Sequence, residues 1–275
     1  MVLNETGPDV VTVQNIAHSD LRSPLPIDRF EACLNGAAYA PHRHDTYTIG
    51  ITLEGVQSFD YRGDTRHALP RDIFVLHPDE LHDGRAGTET GFRYRAFHLR
   101  PAVVQDILGG ANLPYISDGL CDHPALKRAV LDLLDDSIDP LGAETSLVEL
   151  VDALSLASNM RAVSKRPDYR AAQVARNLIE DRLEEGVSLE ELSTAADADR
   201  FALARSFRAL FGTSPHRYLT QRRLDRACTL MAGGESCAQA ALMCGFSDQS
   251  HFMRHFKKTH GMTPRRWMTL RTNVQ

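Results

Sequence analysis

The chain has 275 residues, 43% hydrophobic and 24% charged, which supplies two domains with a core each. Its net charge of −5 is divided unevenly: from Arg200 onward 13 Lys and Arg face 3 Asp and Glu, whereas the residues before it carry 18 against 33. That division, net +10 behind net −15, excludes a uniformly acidic surface and places phosphate contacts at the C-terminal end.

No apolar run approaches the ~20 residues of a membrane span. Glu5 and Asp9 stand where a secretory signal needs its charged and apolar regions, so a cytoplasmic protein with no membrane partner is expected. The five cysteines, Cys33, Cys121, Cys228, Cys237 and Cys244, are odd in number and contain no CxxC pair, as suits a reducing compartment.

In chain order, residues 1 to about 25 carry no clear periodicity and are expected to form an arm or a first edge strand. From Phe30 to Pro101 short β-rich runs (46–53, 57–61, 72–76 and 92–99) alternate with turn residues such as Glu54-Gly55 and Gly63-Asp64, a spacing that predicts a sandwich or barrel. Within 46–53, Tyr47, Ile49, Ile51 and Leu53 share one face, opposite Thr46, Thr48, Gly50 and Thr52. After Pro101 the pattern turns helical. His123-Pro124 opens a helix with Leu126, Val130, Leu133 and Leu134 on one side, and a helix around 144–160 presents Leu147, Leu150, Val151, Leu154 and Ala157. That stripe either packs on its own barrel or forms a dimer seam. Ser164-Lys165-Arg166-Pro167 is the natural boundary, giving a first domain at 1–163, a linker at 164–168 and a second domain at 169–275.

The second domain is written twice. Arg205, Phe207, Arg208, Gly212, Ser214, Pro215, Arg217 and Tyr218 recur as Arg254, Phe256, Lys257, Gly261, Thr263, Pro264, Arg266 and Trp267, and Leu203 recurs as Phe252, always 49 positions on. Each copy follows a short helix opened by a capping pattern, Ser188 with Glu191 and Ser236 with Gln239. Ser247 reads as the N-cap of the last of these helices. Helix, tight turn, helix, twice over, is a tandem helix-turn-helix. A helix from Ser214-Pro215 to Gly233-Gly234 joins the copies; about 18 residues at 1.5 Å each span roughly 27 Å, close to the ~34 Å between successive major-groove turns.

These residues, GFSDQSHFMRHFKKTHGMTPRRW above all, resemble the DNA-binding domain of the AraC/XylS transcription regulators. PHRHDTYTIG and LPRDIFVLHPDELHDG are similar to the cupin-like, ligand-binding barrel that precedes it in many members. The resemblance implies an α+β chain: an N-terminal cupin-like β-barrel with following helices, then an all-α domain of two helix-turn-helix units joined by a linker helix. It implies double-stranded promoter DNA and a small-molecule effector as partners, a homodimer, contact with RNA polymerase, and no catalytic residues. Residue by residue, the first unit offers Arg200, Ala204, Arg205 and Arg208 to DNA. The second offers Gln249, Ser250, His251, Arg254, Lys257 and Lys258.

In the barrel, His42 and His44 sit two apart and point the same way if both lie on a strand, with His82 placed to meet them. The metal-bearing cupins add a Glu to such a set, and here its position falls among Thr48, Ile49 and Gly50, none of them a ligand. Three histidines still satisfy a tetrahedral metal with one open site. The preferred reading has no metal and no cofactor: His42, His44, Tyr61, His82, Tyr94 and Arg95 are polar anchors for an effector. The alternatives are structural histidines, a cupin-type metalloenzyme carrying a DNA-binding domain, and a barrel that only binds protein.

Overall fold

The computed structural model describes residues 27–158 and 167–272. The arm expected before residue 26 and most of the linker lie outside the described residues. Two antiparallel sheets make up the first domain. The five-stranded sheet runs β1 (Ile27–Leu34), β8 (Phe92–Leu99), β3 (Tyr47–Gly55), β6 (Ile73–Leu76), β9 (Leu120–Cys121). The four-stranded sheet runs β2 (Ala37–His42), β7 (His82–Ala86), β4 (Gln57–Tyr61), β5 (Asp64–Ala68).

The alternation in β3 decides what each face does. Tyr47, Ile49 and Ile51 face outward, into a core shared with α1 (Pro101–Leu108), α2 (Pro124–Leu133) and α3 (Pro140–Ala157). The opposite face looks between the sheets, where Leu34, Phe59, Tyr61, Phe74, Phe92, Tyr94 and Ala96 form the barrel's inner core. Gly50 belongs there because a Cβ would lie 2.4 Å from the Arg95 carbonyl and 2.6 Å from Phe74. Leu147, Leu150, Val151 and Leu154 of α3 are buried in the outer core with Leu126, Val130 and Leu133. The stripe therefore packs on its own barrel and is not a dimer seam. The other side of α3 leaves Leu141, Val148 and Leu156 exposed.

In the second domain, α4 (Tyr169–Asp181) and α5 (Leu189–Ala196) precede α6 (Arg200–Phe211), and α8 (Cys237–Met243) precedes α9 (Gln249–His260). Ser188 and Glu191 close a full capping box on α5. At α8, Ser236 accepts the Gln239 N–H, but the Gln239 amide oxygen takes the Ser236 hydroxyl instead of the N-cap N–H, so only half the expected box forms. The joining helix α7 (Pro215–Ala232) serves both cores. Tyr218 and Leu219 sit with Leu203 and Phe207, while Leu224, Ala227 and Met231 sit with Phe246, Phe252 and Phe256. Sharing one 18-residue helix fixes the two units at its length. Against the second unit packs α10 (Pro264–Thr272), whose Trp267 meets Phe256.

Candidate DNA interface and histidine cluster

The first helices of each unit support α6 and α9 from behind and leave their polar faces outward. Each begins on an aspartate: Asp199 accepts the N–H groups of Phe201 and Ala202, and Asp248 accepts that of His251 at 2.7 Å. These caps are themselves 49 apart. Asp248, not Ser247, is thus the N-cap of α9, because a carboxylate meets both the orphan N–H groups and the positive end of the helix dipole. Ser247 instead bonds the His251 ring at 3.1 Å.

Arg200, Arg205 and Arg208 are exposed on α6, and Ala204 is half-buried. Phe201 adds an apolar tip, 58% exposed, with the Arg200 guanidinium 4.8 Å above its ring. On α9, Gln249, Ser250, Arg254, Lys257 and Lys258 are exposed, and His251 is half-buried with its ring edge-on to Phe246. Phe252 and Phe256, fully buried, fix which way Arg254 faces.

The barrel touches the far end of both recognition helices. Each ends on a glycine in the left-handed conformation, Gly212 at φ 73° and Gly261 at φ 64°. A Cβ on Gly212 would lie 2.5 Å from Pro78, and one on Gly261 would lie 2.9 Å from the Ala40 carbonyl and 3.2 Å from His42 Nδ1. The Arg43 N–H donates to the Lys258 carbonyl at 3.3 Å. Arg217 pairs with the buried Asp79, which Arg208 approaches at 3.9 Å, so Arg208 serves the barrel as well as the outer face.

Between the two contacts, Arg222 of α7 meets Asp45 at 2.6 Å and Asp225 at 3.2 Å. Burial works against the Arg222 charge, but the two carboxylates outweigh it and hold the guanidinium charged. Burial also pushes the Asp45 carboxyl up, to about 6, against the pull of Arg222.

Next to Gly261 lie the histidines. His42 ends β2 and pairs across the ladder with His82 on β7, their rings 4.4 Å apart. His44 follows in the loop, not on the strand, yet its ring stands 4.9 Å from that of His82. One nitrogen from each of the three lies within 4.8 Å of the others. His98, on the inward face of β8, joins them through Thr48, which bonds His98 at 3.0 Å and His44 Nε2 at 3.1 Å. Burial depresses the pKa of His42, drives that of His44 far down and brings His82 to about 3, so all three rings are neutral at physiological pH.

Three expected anchors stand elsewhere. Tyr61 bonds His77 at 2.7 Å. Tyr94 points inward to Tyr39, hydroxyl to hydroxyl at 3.2 Å, and the Tyr39 ring lies tilted against that of His42, centroids 5.8 Å apart. Arg95, next along β8, faces outward by strand parity and pairs with Glu31 and Asp136, so it does not join the histidines.

Residues 24–151 match the family described as AraC-like ligand binding domain, and residues 192–269 match a helix-turn-helix domain. The chain carries the two domains of an AraC-type transcription regulator. This regulator is 26% identical to the HTH-type transcriptional regulator YbfI of Bacillus subtilis over 219 residues, 76% of this chain and 80% of the relative. It is equally 26% identical to the activator RhaS of Yersinia pestis over 255 residues, covering 86% and 91%. In fold it is similar to ToxT of Vibrio cholerae, with a TM-score of 0.64 at 12% identity over 89% of this chain and 98% of that one. The regulator therefore combines a ligand-binding barrel with a tandem helix-turn-helix domain. Sequence reasoning missed His98, Asp45, Asp79 and Arg222. Parity on β8 puts His98 with Tyr94 and so offers a signal, whereas Asp45 and Arg222 are 177 positions apart and offer none.

Proposed function

We propose that one chain presents both recognition helices to successive major-groove turns, and that an effector in the barrel acts on DNA through their C-terminal ends. The observation that carries this is the double seat, Gly212 on Pro78 and Gly261 on Ala40 and His42. A shift of the β2–β7 rim reaches α9 directly, while Asp79 and Asp45 hold α6 and α7. In this reading Gln249, Ser250 and Arg254 meet base edges, Arg200, Phe201 and Ala204 offer charge and apolar contact with thymine methyls, and Lys257 and Lys258 meet phosphates. His42, His44 and His82 belong to the effector response, with Tyr94 connected to them through Tyr39. Two ToxT structures hold an unsaturated fatty acid and a substituted butenoic acid, which supports room for a small ligand in this architecture.

The same reading makes the chain a cytoplasmic binding protein without catalysis, in contact with RNA polymerase at its promoters. Leu141, Val148 and Leu156, on one side of α3, are the surface on which we place a second copy. Selection from random-sequence DNA with the full chain tests the core of it. The expected product is an asymmetric site of about two helical turns per chain. A short palindrome with one groove per subunit contradicts it.

A further inference from the structure

We propose that His42, His44 and His82 bind one divalent transition-metal ion of the zinc class, and that its occupancy is felt by the second recognition helix. This deepens the effector reading of the barrel, and it departs from the metal-free pocket that the missing glutamate suggested.

The hydrogen bonds around the rings carry the inference. Nδ1 of His42 lies 2.9 Å from the Ala40 carbonyl, Nδ1 of His44 2.9 Å from that of Thr46, and Nδ1 of His82 3.0 Å from that of Glu80. A carbonyl only accepts, so each Nδ1 holds the proton and each Nε2 keeps its lone pair. This is the outer arrangement that orients metal-bound imidazoles, and it occurs three times in three neighbouring rings.

His77, in the same barrel, shows what a structural histidine does. Its Nδ1 bonds the Tyr61 hydroxyl and its Nε2 accepts the Ile116 N–H, so both nitrogens are used within the protein. Among the described residues, Nε2 of His42 and of His82 has no such partner. His44 Nε2 meets only the Thr48 hydroxyl, which can turn to another acceptor. Nitrogens within 4.8 Å of one another need to close to about 3.4 Å around an ion with ~2.0–2.1 Å bonds. Three neutral nitrogens leave the fourth tetrahedral position to water or an anionic group.

The coupling follows from what the ligands touch. Arg43, between two of them, donates its N–H to Lys258 of α9, and Gly261 rests against His42. Drawing the three rings together therefore moves the seat of that helix. The single tryptophan of the chain, Trp267, stands beside Phe256 and His260 in the same unit and reports the movement.

The test uses the full chain, dialysed against a chelator and titrated with Co²⁺, then Zn²⁺. Expected are one equivalent bound, the intense visible absorption of four-coordinate Co²⁺, its displacement by Zn²⁺, and a Tm that rises with metal. Trp267 emission changes in step with that equivalent. His44→Asn and His82→Asn, with circular dichroism matching the wild type, lose the uptake. His255→Gln removes half of the i,i+4 pair His251/His255 on α9 and keeps it. Absence of stoichiometric uptake by the wild type overturns the proposal whatever the variants do, and so does loss of the equivalent in His255→Gln. Saturating uptake with unchanged Trp267 emission confines the ion to the barrel and overturns the coupling. Stoichiometric Co²⁺ uptake in a chain that binds no DNA, metal-free or metal-loaded, would count against the DNA reading and leave the metal site standing.

Discussion

The two helix-turn-helix units repeat one another in register, yet the barrel holds them by different chemistry. The first is anchored: Gly212 meets Pro78, Arg217 and Arg208 meet Asp79, and Ala102 of α1 packs against its core. The second rests on one backbone hydrogen bond and on His42 at the edge of a cluster of neutral rings. Their reading faces differ in the same sense. The first shows Arg200, Phe201 and Ala204; the second shows Gln249, Ser250 and Arg254. On the proposed reading, the first unit serves as the anchor and the second as the adjustable reader, placed where the barrel's histidines reach it.

The largest expected effect comes from removing a core ring from one unit alone. Phe256→Ala should cost about 3–5 kcal/mol. Because α7 divides its buried residues between two cores, the loss should appear as melting of the second unit with the first still folded. Calorimetry of the full chain should then show a new low-temperature transition. A uniform drop of one transition would mean that the two units are a single cooperative body.

Asp45→Ala comes next. It leaves Arg222 buried with only Asp225 for company, and breaking such a pair costs roughly 3–5 kcal/mol where no partner remains. Domain docking should loosen while each domain keeps its circular dichroism. Faster amide exchange at the β2–α9 contact checks this, and unchanged exchange there would show that Asp45 does not hold the interface.

Much of this comparison was legible in the sequence because local physics wrote it. Capping side chains and the i,i+4 phenylalanines marked the short helices α5 and α8 and the recognition helices that follow them, with Ser247 in place of Asp248 a one-residue miss. In the barrel, β4 and β8 were legible from alternation, whereas β5 and β7 (DTRHA and HDGRA) are too polar to show as strands. The histidine cluster was found, although His44 turned out to reach it from a loop. Arg95 was misplaced because parity divides the two faces of a strand without saying which is the lumen. The docking of the domains was illegible, since Asp45, Asp79 and Gly261 meet their partners only through tertiary folding.

Smaller effects sharpen the reader half. Arg254→Lys should lose about 1–3 kcal/mol on the selected site and much less on a single-base variant, because only a guanidinium spans O6 and N7 of guanine. Lys257→Ala should weaken both DNAs alike and flatten the salt slope by about one unit. Equal losses on both DNAs for Arg254→Lys would make it a phosphate contact. The smallest effect is at the caps. The His251 N–H holds the Asp248 carboxyl below the usual carboxylate range, so its capping is present above that range and is lost as pH falls through its lowered pKa. Asp248→Ala should lower the Tm slightly and remove that part of the acid sensitivity, and an unchanged acid profile would contradict the assignment.

Methylation interference on the selected site, comparing wild type with Phe256→Ala, tests the double seat most directly. Two clusters of interfering guanines are expected, one helical turn apart on one face of the duplex, and Phe256→Ala should lose only the cluster nearer the second unit. A single cluster for the wild type, or loss of both in the variant, would contradict two recognition helices held at a fixed spacing by one barrel.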